Sequence, residues 1–372
     1  MKIEIVSQFR IPCNWDLQLL DKLEGKPVSG IFGMLPSHIA GGGRPSAAMP
    51  SIAPENAAQY IRAAKEKNIP FNYLFNAPCT DAQEFTKNWR DEFLRHLDWA
   101  LEAGISAVTV SIPYLLEVIK KYAPGISITV SSYARINSLK RAMYFQQLGA
   151  DELVLDPITM TRDLACLKSM AQTLKCTVTL IANGVCLYQC PYAEYHGVLM
   201  GHSSQQDHIS NGFYEEYPFY NCTNRKLLSG RELVSANFIR PEDIALYEQA
   251  GIRSFKLVDR SRPTAWILNS LDAYISRRYD GDLLQILNFP HFFLNLLCKK
   301  SGQAVDAGFP CVDNRGLDGF LEQVARIDCR ITDCDTCGIC EKFARSAVTM
   351  PEGSRRLNAV LEEKLRDLDF SG

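Results

Sequence analysis

Short apolar runs alternate with amphipathic stretches over the first 280 residues of the chain. The runs are rich in Val, Ile and Leu and largely lack polar alternation, which is typical of parallel strands that are covered on both faces. We predict eight strands, at Lys2–Gln8, Val28–Met34, Phe71–Asn76, Ala107–Ile112, Ser127–Ser132, Glu152–Asp156, Thr177–Ala182 and Ser254–Val258.

The stretches between the runs have the end signals of helices. Pro54 lies in the first turn of one, and Asp81 is predicted to cap a long one that ends at Gly104. The segments EAGISAVTV, QLGADELVL and EQAGIRSFKL repeat one design, in which a helix end, a glycine and a buried strand follow one another. This repeated unit predicts an α/β fold of the (β/α)8 TIM-barrel type. A doubly wound open sheet is the alternative, disfavoured because no G-x-G-x-x-G motif follows the first strand.

The regular spacing of these units is broken twice. About 70 residues, 183–252, separate the seventh and eighth strands, and an insertion of that length in a barrel is usually functional. The strand–helix pattern stops after Asp282. We therefore predict a barrel over residues 1–282 with the insertion at 183–252, followed by a cysteine-rich, metal-binding C-terminal region over residues 283–372.

The composition narrows the class of protein. Hydrophobic residues make up 47% of the chain and charged residues 22%, as in ordinary globular enzymes, and the net charge of −2 gives no global basic field for nucleic acid. No apolar run is long enough for a membrane span, and the short N-terminal apolar stretch contains Glu4. We therefore expect a cytoplasmic protein. In that compartment thirteen cysteines favour metal binding over disulfides.

One group of cysteines follows predicted strand ends, where TIM barrels carry their functional residues. Cys186 and Cys190 follow the seventh strand, Cys222 lies later in the insertion, and Cys79 follows the third strand. Four thiolates that converge from loops suit a [4Fe–4S] cluster or a structural zinc ion. We predict that these four cysteines bind a metal at the barrel mouth, with His196 as an alternative ligand.

A second group lies in the C-terminal region. Four cysteines fall within twelve residues, in the spacing C-x4-C-x2-C-x2-C, at Cys329, Cys334, Cys337 and Cys340. This density predicts a metal site. The run favours a second iron–sulfur cluster, because zinc more usually has two separated C-x-x-C pairs. Zinc is the alternative metal here, and Cys311 is an alternative ligand.

A glycine-rich loop follows the second predicted strand. In Gly41-Gly42-Gly43-Arg44, backbone amides are expected to approach an anion while Arg44 pairs with its carboxylate or phosphate. Arg44 is therefore predicted to bind a cofactor. A loop that is simply flexible is an equal alternative, and the Lys-Ser/Thr of a P-loop is missing.

The other predicted catalytic residues also follow or end strands. His38 and Tyr133 are expected to move protons, whereas an anionic group would be clamped by Arg135, Lys256 and Arg260. No Ser–His–Asp or H-E-x-x-H arrangement is present, which weighs against the familiar protease mechanisms.

The segment EQAGIRSFKLVDRSRPTAWILNSLDAYISRRYDGD resembles the C-terminal signature of the collagenase-like peptidase family, the peptidases of unknown mechanism. That signature is a helix, a glycine and a strand that ends in a Lys-Ile-x-Gly-Arg-like motif, followed by a helix with a Tyr-Arg-like end. Here the motif reads Lys256-Leu257-Val258-Asp259-Arg260, with Asp259 where glycine is usual. The resemblance extends more loosely over residues 1–280.

The resemblance implies an iron–sulfur enzyme on a barrel. Understood members of the family are oxygen-independent hydroxylases of ubiquinone precursors, tRNA or rRNA, and prephenate is the oxygen donor for some. They bind a [4Fe–4S] cluster through four cysteines after the seventh strand and in the insertion, and some take one ligand from an earlier strand end. Cys186, Cys190 and Cys222 match that region with narrower spacing. The C-terminal run lies outside the common pattern, and we expect it to serve electron delivery or structure.

The leading hypothesis is therefore an iron–sulfur enzyme that carries out an oxygen-independent, hydroxylation-type modification. Its substrate would be a small molecule, a peptide or RNA, and a protein partner or heterodimer is expected because some members of the family form heterodimers. A metal-dependent peptidase and a non-catalytic zinc-binding accessory protein are the alternatives.

Overall fold

A computed structural model describes residues 7–213, 217–300 and 308–368. Eight parallel strands close into a barrel, in which each strand pairs with the next and the last pairs with the first. The strands are β1 (Gln8–Pro12), β2 (Val28–Gly33), β3 (Phe71–Phe75), β4 (Ala107–Val110), β5 (Ser127–Val130), β6 (Glu152–Val154), β7 (Thr177–Ile181) and β8 (Ser254–Lys256). The closure confirms the (β/α)8 barrel and excludes the open sheet.

Helices connect the strands, fill the insertion and build the C-terminal region. In the described ranges they are α1 (Leu17–Lys22), α2 (Pro54–Glu66), α3 (Lys87–Ala103), α4 (Pro113–Tyr122), α5 (Leu139–Gln147), α6 (Pro157–Met160), α7 (Leu164–Thr173), α8 (Ala193–His202), α9 (Tyr217–Leu228), α10 (Gly230–Val234), α11 (Ile244–Gln249), α12 (Thr264–Ser276), α13 (His291–Lys300), α14 (Phe320–Val324), α15 (Cys334–Cys337), α16 (Ile339–Ala347) and α17 (Glu352–Asp367). Outside the barrel, β9 (Cys311–Val312) and β10 (Val348–Thr349) pair antiparallel.

The first barrel strand extends further along the chain than the sequence predicts. Most of the expected strand Lys2–Gln8 lies outside the described residues, and β1 continues to Pro12. The prediction was wrong because Arg10 made this segment resemble a loop. Arg10 instead forms an ion pair with Glu152, which offsets the cost of burying its charge. The other seven strands begin at the predicted residues and end one or two residues earlier.

A band of polar side chains crosses the barrel interior, and we call it the polar layer. Glu152 is its centre, because its carboxylate accepts hydrogen bonds from Arg10 Nε at 2.8 Å, Thr129 Oγ1 at 2.9 Å and Thr179 Oγ1 at 2.6 Å. The network continues from Thr129 to neighbouring strands. The full layer consists of Arg10, Asn72, Thr109, Thr129, Glu152, Thr179 and Ser254. Its hydrogen bonds satisfy groups that burial would otherwise leave unpaired.

Helix α3 begins later than expected. Its cap is Thr86, whose Oγ1 accepts a hydrogen bond from Trp89 N at 3.4 Å, whereas the sequence predicted Asp81 as the cap. The helix ends at Ala103 with Gly104 in the left-handed conformation, as predicted. The carboxylate of Asp81 is therefore not used in capping this helix.

The C-terminal region packs against the insertion. Helix α17 contacts α9, and α16 contacts α10. The buried guanidinium of Arg240, in the insertion, donates to Asn314 Oδ1 at 2.8 Å and to the Leu317 carbonyl at 2.7 Å. Apolar residues of both regions belong to one continuous core with the barrel. The boundary at residues 282 and 283 stays a prediction. In the ranges that the structure describes, no helix has the length and apolar character needed to span a membrane.

Candidate functional site

Three cysteines of the insertion meet at the mouth of the barrel, and we call them the mouth cysteines. Cys186 and Cys190 lie in the loop after β7, and Cys222 lies in α9. The thiols of Cys186 and Cys190 interact electrostatically with one another and with that of Cys222. The loop is held by a hydrogen bond from Cys186 N to Asn237 Oδ1 at 2.6 Å. The structure therefore brings together three of the four cysteines predicted for this site.

The surroundings of the mouth cysteines are partly cationic. Burial raises the pKa of the Cys186 thiol, and the nearby cations of Lys226, Arg44 and Arg135 oppose this shift. The Lys226 ammonium is itself buried and donates to the Val185 carbonyl at 3.1 Å. The Cys186 side chain keeps exposed surface although protein surrounds it, as expected for a group that lines a concave mouth. Cations beside thiolates favour binding of an anionic metal–thiolate centre.

Cys79, the fourth predicted ligand, has a different set of neighbours. Its thiol donates to Asp81 Oδ1 at 3.6 Å, and the Asp81 backbone amide donates to the sulfur at 3.4 Å. Its sulfur also groups with Asp81 and His202, whose ligand atoms all lie within 4.8 Å of one another. Its role as a ligand beside the mouth cysteines stays a prediction.

The second cysteine group is built by local structure. Cys329 precedes α15, Cys334 and Cys337 are its first and last residues, and Cys340 lies in the first turn of α16. Gly338 joins the two helices with a φ of +63°, a left-handed conformation that favours glycine. Burial raises the pKa of the Cys329 thiol, which interacts with the other three. The structure therefore brings the four C-terminal cysteines together.

Two side chains connect the cysteine groups. Tyr188 lies in the loop between Cys186 and Cys190, and its phenol interacts electrostatically with Cys329. The Arg162 guanidinium lies 5.4 Å from the Tyr188 ring centre and donates a hydrogen bond to the Cys340 thiol. Tyr188 and the buried Arg162 thus lie between the mouth cysteines and the C-terminal cysteines.

The sulfur spacing bears on the choice of metal. A tetrahedral zinc ion holds its thiolates roughly 3.8 Å apart, because Zn–S bonds are about 2.3 Å long. Among the described residues, Cys79, Asp81 and His202 are the one group of three ligand atoms within 4.8 Å of one another. In neither cysteine group do three sulfurs all lie within 4.8 Å of one another. A four-iron cluster, in which each thiolate binds a different iron, suits wider spacing.

The glycine-rich loop serves packing rather than anion binding. A Cβ at Gly41 would lie 2.7 Å from the Gly201 carbonyl oxygen of α8, and one at Gly43 would lie 2.6 Å from the Tyr133 ring. The amide of Gly42 donates to Ser204 Oγ at 2.8 Å. The expectation that these amides cradle an anion is therefore wrong at Gly41 and Gly42, because Gly41 N also donates, to the His38 carbonyl.

Arg44 has an internal partner. Its Nε lies 3.3 Å from Asp259 Oδ1, and this proximity raises the pKa of the guanidinium. Burial opposes ionisation of Asp259, but Arg44 and a backbone hydrogen bond from Ser261 hold the pKa of its carboxyl below the ordinary value. The acidic residue that replaces the usual glycine of the motif is thus the ion-pair partner of Arg44.

Lys256 and Arg260 are buried cations at the mouth that form no ion pair within the described ranges, although the carboxylates of Glu152 and Asp259 act on them from nearby. Lys256 is 8% exposed and its Nζ lies 3.8 Å from the Phe32 ring centre. Burial lowers its pKa to about 7, Arg10 and Arg260 act in the same direction, and Glu152 opposes them. Arg260 is 4% exposed, and within the described part of the chain its Nη1 has no hydrogen-bond partner. An unpaired buried guanidinium nitrogen is suited to an anionic ligand.

Tyr133 and Arg135 follow β5 and also lie at the mouth. The Tyr133 hydroxyl donates to the Gly43 carbonyl at 3.3 Å. Arg135 pairs with Asp156, with 3.1 Å between Nη1 and Oδ1, and donates to the Ala193 carbonyl at the start of α8. Arg135 therefore holds α8 over the mouth, and Tyr133 remains beside Arg44.

His38 is placed away from the mouth. It is 1% exposed, its Nε2 lies 3.0 Å from the Leu74 carbonyl, and its Nδ1 accepts from Ala40 N at 3.3 Å. Its ring lies 4.8 Å from that of His96. Burial lowers its pKa well below the ordinary value, so it stays neutral. The predicted proton-transfer role has no support in this geometry, because both ring nitrogens are engaged with the backbone.

The sequence reasoning missed several residues of the site. Glu152 had a detectable signal, since a charge inside a buried strand requires a partner. Lys226, Arg162 and Tyr188 had none, because their environments arise from contacts between segments far apart in the chain.

The fold and site together define a (β/α)8-barrel protein with thiols beside cationic side chains at its mouth. The pattern of peptidase family U32 matches residues 51–275, more than half of the chain, so the chain belongs to this family. An uncharacterized protease of Methanocaldococcus jannaschii is 26% identical over 304 residues, which cover 79% of this chain and 82% of that protein. The solved structure of the U32 peptidase Mk0906 aligns with a TM-score of 0.51 and 17% identity, covering 69% of this chain and 94% of that chain. The resemblance inferred from the sequence is confirmed.

Proposed function

We propose that this U32 protein is an iron–sulfur enzyme that performs an oxygen-independent, hydroxylation-type modification of an anionic substrate. The observation that carries the proposal is the electrostatic contact of the mouth cysteines with the cationic side chains of Lys226, Arg44 and Arg135. Arg260, which has a nitrogen unpaired among the described residues, lies beside Arg44. The substrate would be a small molecule, peptide or RNA that presents a carboxylate or phosphate.

The mouth cysteines would hold a [4Fe–4S] cluster. Their sulfur spacing favours a cluster over a single zinc ion, and Lys226, Arg44 and Arg135 would offset its negative charge. A cluster with three protein thiolates keeps one iron open to a ligand, where it supplies Lewis-acid or redox chemistry. Because burial raises the pKa of the Cys186 and Cys190 thiols, cluster assembly would release protons and strengthen as the pH rises.

The chain's own residues would bind the substrate and hold its proton. Arg260 Nη1 would donate to the anionic group, because no protein acceptor in the described ranges uses it. Lys256, with a pKa of about 7, would accept or return a proton near neutral pH. Tyr133 lies beside both Arg44 and Arg260 and would orient the same anion.

The four C-terminal cysteines would hold a second cluster that exchanges electrons with the first. The support is the contact chain from Cys340 through Arg162 to Tyr188, in the loop that carries Cys186 and Cys190. A purely structural site would not need this proximity to the mouth.

The test is quantitation of iron and acid-labile sulfide in protein purified without oxygen. Two clusters predict about eight iron atoms per chain. Cys186→Ala and Cys337→Ala should each remove about half of the iron, whereas Cys176→Ala, a control outside both cysteine groups, should remove none. The Cys337 variant should keep the mouth cluster but lose its reduction by an external donor.

Other outcomes would favour the two alternatives. Peptide cleavage by iron-free protein would favour a peptidase, as the names of the family and of its relatives imply. Zinc in both cysteine groups, with no iron after reconstitution, would favour a non-catalytic accessory protein.

A further inference from the structure

Side chains from three segments meet outside the mouth, beside the C-terminal end of β3. Cys79 and Asp81 come from the loop after β3, His202 ends α8, and His208 lies in the loop that follows α8. The two carboxylate oxygens of Asp81 lie 3.3 Å from His202 Nε2 and 3.2 Å from His208 Nε2. The ligand atoms of Cys79, Asp81 and His202 lie within 4.8 Å of one another, the separation expected around one metal ion.

His202 has a nitrogen directed into this group. Its Nε2 is buried and has no hydrogen-bond partner among the described residues, although Asp81 Oδ1 is nearby. A buried imidazole nitrogen that makes no hydrogen bond is suited to bind a metal ion.

His208 has the position of an orienting residue. Its Nδ1 accepts a hydrogen bond from Ser210 N at 3.0 Å, so in the neutral ring the proton is on Nε2. That Nε2 then donates to Asp81 Oδ2 and leaves Oδ1 facing Cys79 and His202. The rings of His202 and His208 stack with centres 4.1 Å apart, an arrangement that two imidazolium ions would oppose. Hydrogen bonds of this kind orient the carboxylates that bind metals.

We propose that Cys79, Asp81 and His202 bind one zinc-type divalent ion, with water as the fourth ligand and His208 orienting Asp81. The mixed sulfur, nitrogen and oxygen donors are those that zinc accepts, whereas magnesium and calcium prefer oxygen alone. The site does not depend on the proposed iron–sulfur function. If Cys79 binds this ion, it is not a ligand of the mouth cluster.

The ion would join the loop after β3 to the end of α8. These segments are already close, because Gln205 Nε2 donates to the Cys79 carbonyl at 2.6 Å and a Cβ at Gly201 would lie 2.9 Å from that of Ala77. A metal bound across them would fix α8, which lies over Tyr133 at the mouth. The site is therefore expected to order the cover of the mouth.

Asp81 offers a test variant that keeps the fold. Its φ of +53° and that of Ala82, +59°, are left-handed, and Asn tolerates this conformation well. Asp81→Asn thus removes the ligand charge without new backbone strain. Cys79→Ser removes the thiolate, His208→Asn tests orientation, and Cys176→Ser is the matched thiol control.

The experiment measures zinc, iron and sulfide in the full chain and records cobalt spectra after cobalt replaces zinc. Cys79→Ser and Asp81→Asn should each lose one zinc per chain with iron and sulfide unchanged, and Cys79→Ser should lose the thiolate-to-cobalt absorption of this site. His208→Asn should keep the ion with an affinity about 10–100-fold lower. Cys176→Ser should match the wild type.

Two results would overturn the site. The first is full zinc content and an unchanged cobalt spectrum in Asp81→Asn. The second is loss of iron and sulfide in Cys79→Ser while zinc is retained, which would make Cys79 the cluster ligand that the sequence predicted. Loss of the mouth cluster in Cys186→Ala with zinc still bound would leave this proposal standing.

Discussion

The polar layer and the mouth above it differ in whether their buried charges have hydrogen-bond partners. In the layer, Glu152 receives hydrogen bonds from Arg10, Thr129 and Thr179. At the mouth, Lys256 lies against an aromatic ring, and Arg260 keeps a nitrogen that no described residue accepts. Buried charges that are hydrogen-bonded within the protein stabilise the fold. Buried charges without partners lower stability and occur where a ligand supplies the missing hydrogen bonds. The comparison therefore supports a folding role for the layer and the binding role proposed for the mouth.

The largest effect on stability is expected for Glu152→Gln, in the polar layer. It should lower the free energy of unfolding by about 3–5 kcal/mol, because it leaves the buried charge of Arg10 without its anionic partner. Urea unfolding measures the effect. The double variant Arg10→Met/Glu152→Met should be more stable than Glu152→Gln alone. A loss below about 1 kcal/mol for Glu152→Gln would remove the layer from the residues that stabilise the fold.

Lys256→Met tests whether the mouth lysine costs stability. Its pKa falls from 10.5 in the unfolded chain to about 7 in the folded one, so the unfolded state binds more protons between these values. Wild-type stability should therefore rise through this window, by at most about 1.4 kcal/mol per pH unit. The variant should lack this slope and be more stable than the wild type below pH 7, with the difference vanishing above pH 10.5. Parallel stability–pH curves would contradict the assignment.

Arg260→Met tests whether Arg260 contributes to anion binding rather than to the stability of the fold. Because Arg260 Nη1 has no described hydrogen-bond partner, Arg260→Met should raise the dissociation constant for an anion about 10–100-fold. Its free energy of unfolding should equal or exceed that of the wild type. Inorganic phosphate and malonate serve as probes, and the thermal stabilisation they give reports binding. Arg278→Met, at an exposed arginine elsewhere on the chain, is the control. Equal stabilisation of variant and wild type by both probes would show that Arg260 does not bind the anion.

Tyr133→Phe should lower stability much less than Glu152→Gln. It removes the hydrogen bond to the Gly43 carbonyl, for a loss of about 0.5–1.5 kcal/mol. If Tyr133 orients the substrate, turnover should fall further than this loss explains. Tyr144→Phe, at an exposed tyrosine of α5, should change neither quantity. A stability loss as large as that of Glu152→Gln would place Tyr133 with the layer.

The strands were predictable from sequence because a buried parallel strand is a local pattern. Seven of them begin at the expected residues, and β1 was missed where one charge, Arg10, interrupted the pattern. The C-terminal cysteines were equally local, since a turn and the start of a helix gather them. The neighbours of Cys79 could not be predicted in this way, because they depend on where α8 and the loop after it lie. No spacing along the chain encodes that distance.

The ion pair of Arg44 with Asp259 has a consequence for ligand selection. A carboxylate fixed 3.3 Å from the guanidinium is an intramolecular competitor, present at a high effective concentration. An incoming anion must displace it or use Arg260 instead, and either route discriminates against weakly bound monoanions. If the mouth binds an anion as proposed, Asp259 would thus set the minimum affinity that the anion needs to reach Arg44.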